Sequence, residues 1–361
     1  MKLLFDIGHP AHVHLLKHTI NGLKAKGHEI FITVKDLPVA KKLLKAEGLD
    51  FIEIGSKTDS IIGKAINQIK YNLKVLKLVR RNKIEIGIGT SITLPHVSRL
   101  SKMRSIVLDD DDDSVEPLFV KYGHPFANVI LTPDSIKRKN KKSLYYAGIH
   151  ELAYLHPNYF KPNIKVLEEL GLDHNSSFFI LRFVAFKGHH DVGQKGISFD
   201  QKKRLIELLK PFGKIFITSE KEIEPEFEEY RLPVAPEKIH SLMYYAKLFI
   251  GDSQTMTTEA AILGTMALKC NTFAGGLSVP NELEKKYGLC FSYQPVEFEK
   301  MFSHITELLK KPDLKKEMND KRNLFLSEKI NVTAFLTWFV ENYPSSESTM
   351  RKNKDHQDQF K

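Results

Sequence analysis

The stretch from Phe249 to Asn271 constrains the fold more than any other part of the sequence. An apolar run ends at Gly251, and the residues that follow, Asp252 and Ser253, are typical of helix N-termini. A helical pattern then continues to Gly264, a residue typical of helix ends, and a second apolar run comes directly after it. A strand, a helix and a strand in so short a segment predict a unit of an α/β fold with a parallel sheet.

The start of this helix is also the first candidate site. A helix N-terminus carries unpaired N–H groups and a partial positive charge, which suit an anion such as a diphosphate. The side chains of Ser253, Gln254 and Thr255 would add hydrogen bonds, and Glu259 on the second turn would accept hydrogen bonds from a ribose diol. The alternative is an ordinary capped helix in an α/β core, with Glu259 merely solvated.

Length and composition set the remaining bounds. With 361 residues the chain is long enough for two domains, and no run of 18 apolar residues predicts a transmembrane helix. The N-terminal segment favours a first strand over a signal peptide. The only two cysteines, Cys270 and Cys290, lie in apolar contexts and indicate a reducing compartment without disulfides.

The formal net charge of +10 favours an anionic partner, whether a nucleotide, an acidic lipid surface or a nucleic acid. The sequence carries no zinc-finger or RNP-type signature, so we expect no nucleic acid partner. The predicted helix from Ile61 to Arg81 is basic and amphipathic. It fits either an anionic membrane face or a solvated helix that covers a sheet.

Three histidines follow the first predicted strand, in a βαβ unit at the N-terminus. Because ligands of parallel sheets bind at the carboxyl ends of the strands, the loop of Gly8, His9, His12 and His14 is expected to line the binding cleft. A histidine there is able to act as a base or to bind phosphate. The alternative is that one of the three caps a helix and another packs.

Five consecutive aspartates, Asp109 to Asp113, follow another predicted strand. Two carboxylates are able to hold Mg²⁺, or one is able to serve as a general base. Five adjacent carboxylates repel one another, so we expect Asp109 or Asp110 to face the cleft and the others to be solvated. We favour the base over the metal.

A basic cluster follows the predicted strand from Ser177 to Phe183. Arg182 and His189, together with Lys187 and His190, would lie at the carboxyl end of this strand and suit the diphosphate of a bound nucleotide. The alternative is an exposed glycine-containing loop.

The segment from Asp252 to Gly264 resembles the nucleotide-sugar motif of GT-B-fold proteins. The elements that carry the resemblance are Asp252-Ser253, Thr258-Glu259-Ala260-Ala261 and Leu263-Gly264. The pattern is most similar to that of the non-hydrolysing UDP-N-acetylglucosamine 2-epimerases, Asp-Ser-Gly-Gly-x-x-x-Glu-Ala. Lipid-linked-sugar glycosyltransferases carry a looser version, and the Gly-His-x-x-His loop after the first strand resembles their Gly-Gly-His loop. Against an epimerase, Gln254 and Thr255 replace the two glycines, and no arginine follows the first strand.

The resemblance implies an α/β, GT-B-like fold, with two Rossmann-like parallel-sheet domains facing each other across a cleft. It implies an acceptor-side domain over residues 1–162, a nucleotide-sugar domain over 163–327 and a last helix over 328–344 that crosses back to the first domain. The polar residues 345–361 are predicted to be disordered. By the same resemblance, Ser253 contacts the diphosphate and Glu259 the ribose.

The predicted function is that of a metal-independent glycosyltransferase that uses a UDP-sugar in surface polysaccharide or glycan-precursor biosynthesis. The alternatives are a UDP-N-acetylglucosamine 2-epimerase-like enzyme and a non-catalytic nucleotide-sugar-binding protein. We expect no cofactor, a glycan or lipid-linked acceptor, and a cytoplasmic location with peripheral contact at the inner membrane face. The predicted site consists of catalytic His12, Asp109 and Asp110, donor-binding Arg182, His189, Ser253, Gln254, Thr255 and Glu259, and acceptor-side Gly8, His9 and His14.

Overall fold

The computed structural model describes residues 1–55, 61–173, 175–184, 195–219 and 222–361 of the chain. These residues divide into two compact units. The first unit comprises Met1–Tyr159 and Lys329–Lys361, and the second unit comprises Phe160–Glu328. The sequence pattern places the corresponding boundaries at residues 162 and 327.

The first unit contains a seven-stranded sheet in which all neighbouring strands are parallel. Its strands are β1 (Lys2–Ile7), β2 (Glu29–Lys35), β3 (Ile52–Gly55), β4 (Ile86–Gly89), β5 (Arg104–Leu108), β6 (Val129–Pro133) and β7 (Ser143–Tyr146). Their order across the sheet is β3-β2-β1-β4-β5-β6-β7. The chain direction across the sheet therefore reverses between β1 and β4, and such a switch point leaves a crevice at the carboxyl ends of the two strands.

Helices of the first unit cover this sheet because the central strands are apolar on both faces, as Leu3, Leu4 and Phe5 of β1 illustrate by being fully buried. The helices that precede the second unit along the chain are α1 (Pro10–Ala25), α2 (Pro38–Ala46), α3 (Ile61–Asn82), α4 (Thr93–Arg99), α5 (Pro117–Tyr122) and α6 (Leu152–Leu155).

The second unit contains a five-stranded parallel sheet. Its strands are β8 (Phe178–Phe183), β9 (Lys214–Ser219), β10 (Leu248–Gly251), β11 (Met266–Cys270) and β12 (Cys290–Tyr293), in the order β12-β11-β10-β8-β9. The switch point of this sheet lies between β8 and β10. Its helices are α7 (Lys165–Glu168), α8 (Phe199–Leu209), α9 (Ile239–Tyr245), α10 (Gln254–Ile262), α11 (Ser278–Lys285), α12 (Phe298–Leu309) and α13 (Leu314–Glu328).

The strand–helix–strand unit predicted around Ser253 is present as β10, α10 and β11. Ser253 is the N-cap of α10. The helix ends at Ile262, and Gly264 follows with a φ of +76°, which a residue with a side chain rarely adopts. The predicted strand, helix and strand therefore agree with the local sequence signals.

The C-terminal segment returns to the first unit as α14 (Val332–Glu341) and α15 (Ser345–Lys352), and α14 packs against α1 and α6. The prediction of disorder from Ser345 onward is wrong. Met350 is buried in α15, and the ring centroid of Phe360 lies 5.5 Å from that of Trp338. The prediction relied on the polar composition of the segment, although its apolar side chains Met350 and Phe360 take part in packing.

Candidate functional site

The switch point of the first sheet is fixed by a buried carboxylate near the end of β1. Asp6 is completely buried. Its Oδ1 accepts a hydrogen bond from the Thr33 hydroxyl on β2 at 2.7 Å, and its Oδ2 accepts one from the Ser91 hydroxyl after β4. Asp6 therefore joins three adjacent strands at the edge where the candidate residues lie. Asp6 was not predicted as a site residue, because it interrupts an apolar strand without belonging to a motif.

The three histidines after β1 have different environments. His9 caps α1, since its Nδ1 accepts a hydrogen bond from the Ala11 N–H at 3.2 Å. The ring of His14 packs against Tyr154, with the ring centroids 5.3 Å apart. His12 is the one whose ring is held at the switch point.

His12 is bonded to both loops of the switch point. Its Nδ1 accepts a hydrogen bond from the Gly8 N–H at 3.2 Å, and its Nε2 lies 2.8 Å from the Thr90 hydroxyl after β4. Burial, reinforced by His9 and His150, lowers the pKa of His12 to about 3. The ring is therefore neutral at pH 7. Because Nδ1 accepts a hydrogen bond from the Gly8 N–H, the proton of the neutral ring lies on Nε2, so His12 is suited to donate a hydrogen bond from that nitrogen.

The first two aspartates after β5 are not equivalent. The Asp109 side chain is only 4% exposed, and its Oδ2 lies 2.7 Å from His124 Nε2 and 3.0 Å from Arg138 Nη1. Arg138 also pairs with Asp113 at 2.6 Å. Asp109 therefore belongs to a buried ionic cluster that holds the aspartate loop together.

Asp110 is the accessible carboxylate of the pair. Its side chain is 34% exposed, and its Oδ2 lies 3.0 Å from Nδ1 of His150, which follows β7. Burial would raise the pKa of Asp110, but the adjacent His150 outweighs burial and lowers it. Burial likewise opposes protonation of His150, but Asp110 outweighs burial and raises the pKa of His150. Each residue therefore favours the charged form of the other.

Two buried polar atoms beside this pair have no hydrogen-bond partner in the described part of the chain. They are Nε2 of His150 and the hydroxyl oxygen of Tyr146. Burial raises the pKa of Tyr146 well above its ordinary value, and Asp110 and Glu151 add to this effect. Buried polar atoms are nearly always hydrogen-bonded in folded proteins, so these two are suited to a polar ligand or ordered water.

In the second unit, Asp252 joins three loops at the carboxyl edge of the sheet. Its N–H donates to the Arg182 carbonyl at 3.1 Å, its Oδ1 accepts from the Val184 N–H at 2.8 Å, and its carbonyl accepts from Asn271 Nδ2 at 2.8 Å. Burial raises the pKa of Asp252 to about 7. A Cβ on Gly251 would lie 2.4 Å from the Arg182 carbonyl oxygen, so only glycine allows the two strands to approach here.

The N-terminus of α10 has the form expected of an anion site. Ser253 is buried, and its Oγ accepts a hydrogen bond from the Met256 N–H at 3.4 Å. The N–H groups of Gln254 and Thr255 have no intrahelical acceptor, as for the first residues of any helix. Thr255 is exposed at this tip. Ser253 therefore caps the N-terminus of α10, called the tip below, and Gln254 and Thr255 are the first residues of the helix there.

The side chain of Gln254 is hydrogen-bonded to a buried lysine. Lys269 on β11 is fully buried, and its ammonium group donates a hydrogen bond to Oε1 of Gln254. Burial lowers the pKa of Lys269 to about 8. Lys269 was not predicted as a site residue, although a lysine within the apolar run Met266–Cys270 is a signal that the sequence carries.

Glu259 is buried rather than solvated. Its Oε1 lies 3.0 Å from Nε2 of His240 on α9, and the His240 ring packs edge-on against Phe160. A buried, hydrogen-bonded carboxylate on the second turn of α10 is suited to accept hydrogen bonds from a diol. His240, which the motif did not include, orients it.

Of the predicted basic cluster, only Arg182 lies within the described residues. Its Nη1 donates to the Thr218 hydroxyl at 3.0 Å across the β8–β9 edge. His189, Lys187 and His190 fall outside the described residues. Within those residues, no group of three or more histidine, cysteine or acidic side chains is arranged to hold a metal ion. Nor does any of their helices combine the length and apolarity needed to cross a membrane.

Comparison with solved structures identifies the fold. The UDP-GlcNAc 2-epimerase from Neisseria meningitidis, solved with bound UDP-GlcNAc, is 12% identical and matches 94% of this chain and 100% of its own, with a TM-score of 0.63. The spinosyn forosaminyltransferase SpnP is 14% identical and matches 93% of this chain and 97% of its own, with a TM-score of 0.66. The two parallel sheets are therefore those of a GT-B-fold protein, the fold class predicted from the sequence.

Within this class, the chain belongs to the family described as "Protein of unknown function (DUF354)", whose model matches residues 1–289. The uncharacterized protein MJ0665 of Methanocaldococcus jannaschii is 24% identical to it over 281 residues, which cover 73% of this chain and 80% of that protein.

Proposed function

We propose that this protein is a glycosyltransferase that transfers a sugar from a nucleoside diphosphate sugar, UDP-linked, to a hydroxyl group of a glycan precursor. The observation that carries the proposal is the construction of α10. Ser253, Gln254 and Thr255 form an anion-binding tip, and Glu259 lies buried behind it in a hydrogen bond with His240. This arrangement suits the two parts of a nucleoside diphosphate, the diphosphate and the ribose.

In this account the second unit binds the donor. The tip of α10 stabilises the negative charge that develops on the leaving diphosphate, as preorganised N–H donors do in other group transfers. Arg182 on the neighbouring strand supplies a positive charge on the same sheet edge. Because the helix and the arginine neutralise the leaving group, the reaction requires no metal ion.

The first unit supplies the base. The acceptor hydroxyl gives its proton to Asp110, its oxygen bonds to the anomeric carbon of the sugar, and the bond from that carbon to the diphosphate breaks. His150 holds the Asp110 carboxylate in place, and His12 donates a hydrogen bond from Nε2. Asp109 is assigned a positioning role, because its carboxylate is buried against His124 and Arg138.

The proposal also covers the acceptor and the location of the reaction. The acceptor is a surface polysaccharide or a lipid-linked precursor, and the reaction takes place in the cytoplasm. The buried free thiols of Cys270 and Cys290 are consistent with a reducing compartment.

A 2-epimerase-like activity on UDP-N-acetylglucosamine is the second candidate. Epimerisation at C2 needs proton transfer, and this activity is favoured by two carboxylates, those of Asp110 and Glu151. Both lie near the buried Tyr146 hydroxyl and His150 Nε2. The absence of an arginine after β1 and of glycines at 254 and 255 weighs against it.

Incubation of the protein with UDP-N-acetylglucosamine separates the candidates, with proton NMR as the readout. A transferase leaves the donor intact until a lipid-linked saccharide is added, and UDP then appears together with a glycosylated product. A 2-epimerase produces the C2 epimer without any acceptor. Binding without turnover under both conditions would contradict both activities and leave a nucleotide-sugar-binding protein.

A further inference from the structure

Helix α3 has two apolar stripes, and it packs on the first unit by one of them. Tyr71, Val75 and Val79 are buried and belong to the apolar cluster beneath the helix. The other stripe includes Ile66, Ile69 and Leu73. It lies on the opposite side, because these residues are spaced half a turn away from the buried set.

The solvent-facing stripe is unusually apolar. Ile66, Ile69 and Leu73, called the apolar ridge below, are 48%, 61% and 60% exposed. The surface continues beyond the helix, because Arg80 donates to the Leu100 carbonyl at 2.9 Å and the Leu100 side chain is itself 55% exposed. Contiguous exposed apolar residues on a soluble fold mark an interaction surface.

The apolar ridge is surrounded by positive charge. Five basic residues of the helix are exposed, namely Lys70, Lys74, Lys77, Arg80 and Arg81. The 22 residues of α3 include no aspartate or glutamate. These five side chains make no ion pair with another residue in the described ranges, so their charge is available to an external partner.

We propose that the solvent-facing side of α3 is a docking surface for an anionic lipid bilayer. A cationic helix with an exposed apolar ridge lies in the interfacial plane, where the ridge enters the acyl boundary and the lysines and arginines contact anionic headgroups. Charge complementarity favours this occupant over a second copy of the chain, since pairing this face with itself would bring ten positive charges together. A nucleic acid would satisfy the charges and leave the ridge exposed.

The test measures partition of the whole protein onto vesicles by flotation, with phosphatidylcholine vesicles that contain 30 mol% phosphatidylglycerol compared with pure phosphatidylcholine. The wild type is expected to float with the anionic vesicles only. The Ile69→Ser/Leu73→Ser variant is expected to lose at least about tenfold in partition. The Lys70→Gln/Lys74→Gln/Lys77→Gln variant is expected to lose about fivefold for each removed charge.

Two controls make the outcome decisive. Lys137→Gln/Lys139→Gln/Lys141→Gln changes the net charge equally at three exposed positions of the same unit, and Val296→Ser removes an apolar side chain that is 92% exposed. Both are expected to partition like the wild type. Equal losses in the controls, dependence on charge but not on the ridge, or no flotation of the wild type would overturn the proposal. So would a wild-type dimer, seen by light scattering, that Ile69→Ser/Leu73→Ser converts to a monomer.

This inference stands on α3 alone and is independent of the proposed function. Loss of vesicle binding leaves nucleotide binding by the second unit unaffected, and the reverse also holds.

Discussion

Oδ2 of Asp110 lies 3.0 Å from Nδ1 of His150, although 40 residues of sequence separate the two. β5 and β7 end at the same edge of the first sheet, so the residues that follow them meet there. The pair combines an accessible carboxylate with an imidazole that fixes its orientation. We therefore assign this carboxylate the role of base toward an acceptor hydroxyl.

Replacement of this carboxylate tests the catalytic assignment. Asp110→Asn is expected to lower the transfer rate by about 10²- to 10⁴-fold, because general base catalysis contributes factors of this size. Nucleotide binding by the second unit should stay unchanged in calorimetry. Asp50→Asn, at an exposed position elsewhere in the first unit, is the control, and equal losses in both variants would remove Asp110 from the role of base.

The pKa shifts of the pair predict how its contribution to stability depends on pH. The folded-state pKa of Asp110 is lowered, so its contribution is present above the ordinary aspartate value and is lost as the pH falls through the lowered pKa. The folded-state pKa of His150 is raised, so its contribution is full below about 6.5 and is lost as the pH rises through the raised pKa.

The free energies of unfolding of the wild type and His150→Gln, measured by urea denaturation, should therefore differ most between about pH 4 and 6.5. At alkaline pH the two values should converge. In an Asp110→Asn background the stabilisation by His150 at low pH should be lost, because burial then opposes protonation of its ring. A constant difference from pH 5 to pH 9 would contradict the ion pair.

Asp109 is predicted to matter for stability. Asp109→Ala leaves His124 and Arg138 without their buried partner, so the free energy of unfolding should fall by about 3 kcal/mol. Urea denaturation measures this loss, with Asp36→Ala, whose carboxylate pairs with Lys41 at the surface, as the control. An Asp109→Ala protein of wild-type stability that had lost all activity would instead assign Asp109 a catalytic role.

Lys269 is predicted to reduce stability at neutral pH. Its folded-state pKa of about 8 lies below that of the unfolded chain, so burial of the charged form costs free energy below pH 8, and stability rises with pH from there to about 10.5. Lys269→Met should raise the free energy of unfolding by about 2 kcal/mol at pH 7 and by little at pH 10.5. If Gln254 binds the diphosphate, the same variant should bind the nucleotide more weakly. A variant that is less stable at pH 7 would contradict this account.

Much of the second unit could be predicted from local signals. β10, α10 and β11 follow from a capping serine, a helical pattern and a glycine stop, all within one short segment. The pairing of Asp110 with His150 could not be predicted, because it depends on which strands become neighbours. For α3, periodicity reveals two apolar stripes, and only the packing shows that the one containing Val75 is buried. The polar composition after Ser345 concealed Met350 and Phe360, which anchor the C-terminal segment.

The most direct test of the central claim is calorimetric titration of the protein with UDP, UDP-N-acetylglucosamine and GDP. We expect the uridine nucleotides to bind, and Glu259→Ala to weaken binding about 10- to 100-fold, the usual loss for a hydrogen bond to a charged group. Glu259→Gln, which keeps a hydrogen-bonding group beside His240, checks that the fold is retained, and Glu226→Ala is the exposed control. Binding that is unchanged in Glu259→Ala, or no binding of any of the three nucleotides to the wild type, would contradict the assignment of α10 as the nucleotide-sugar site.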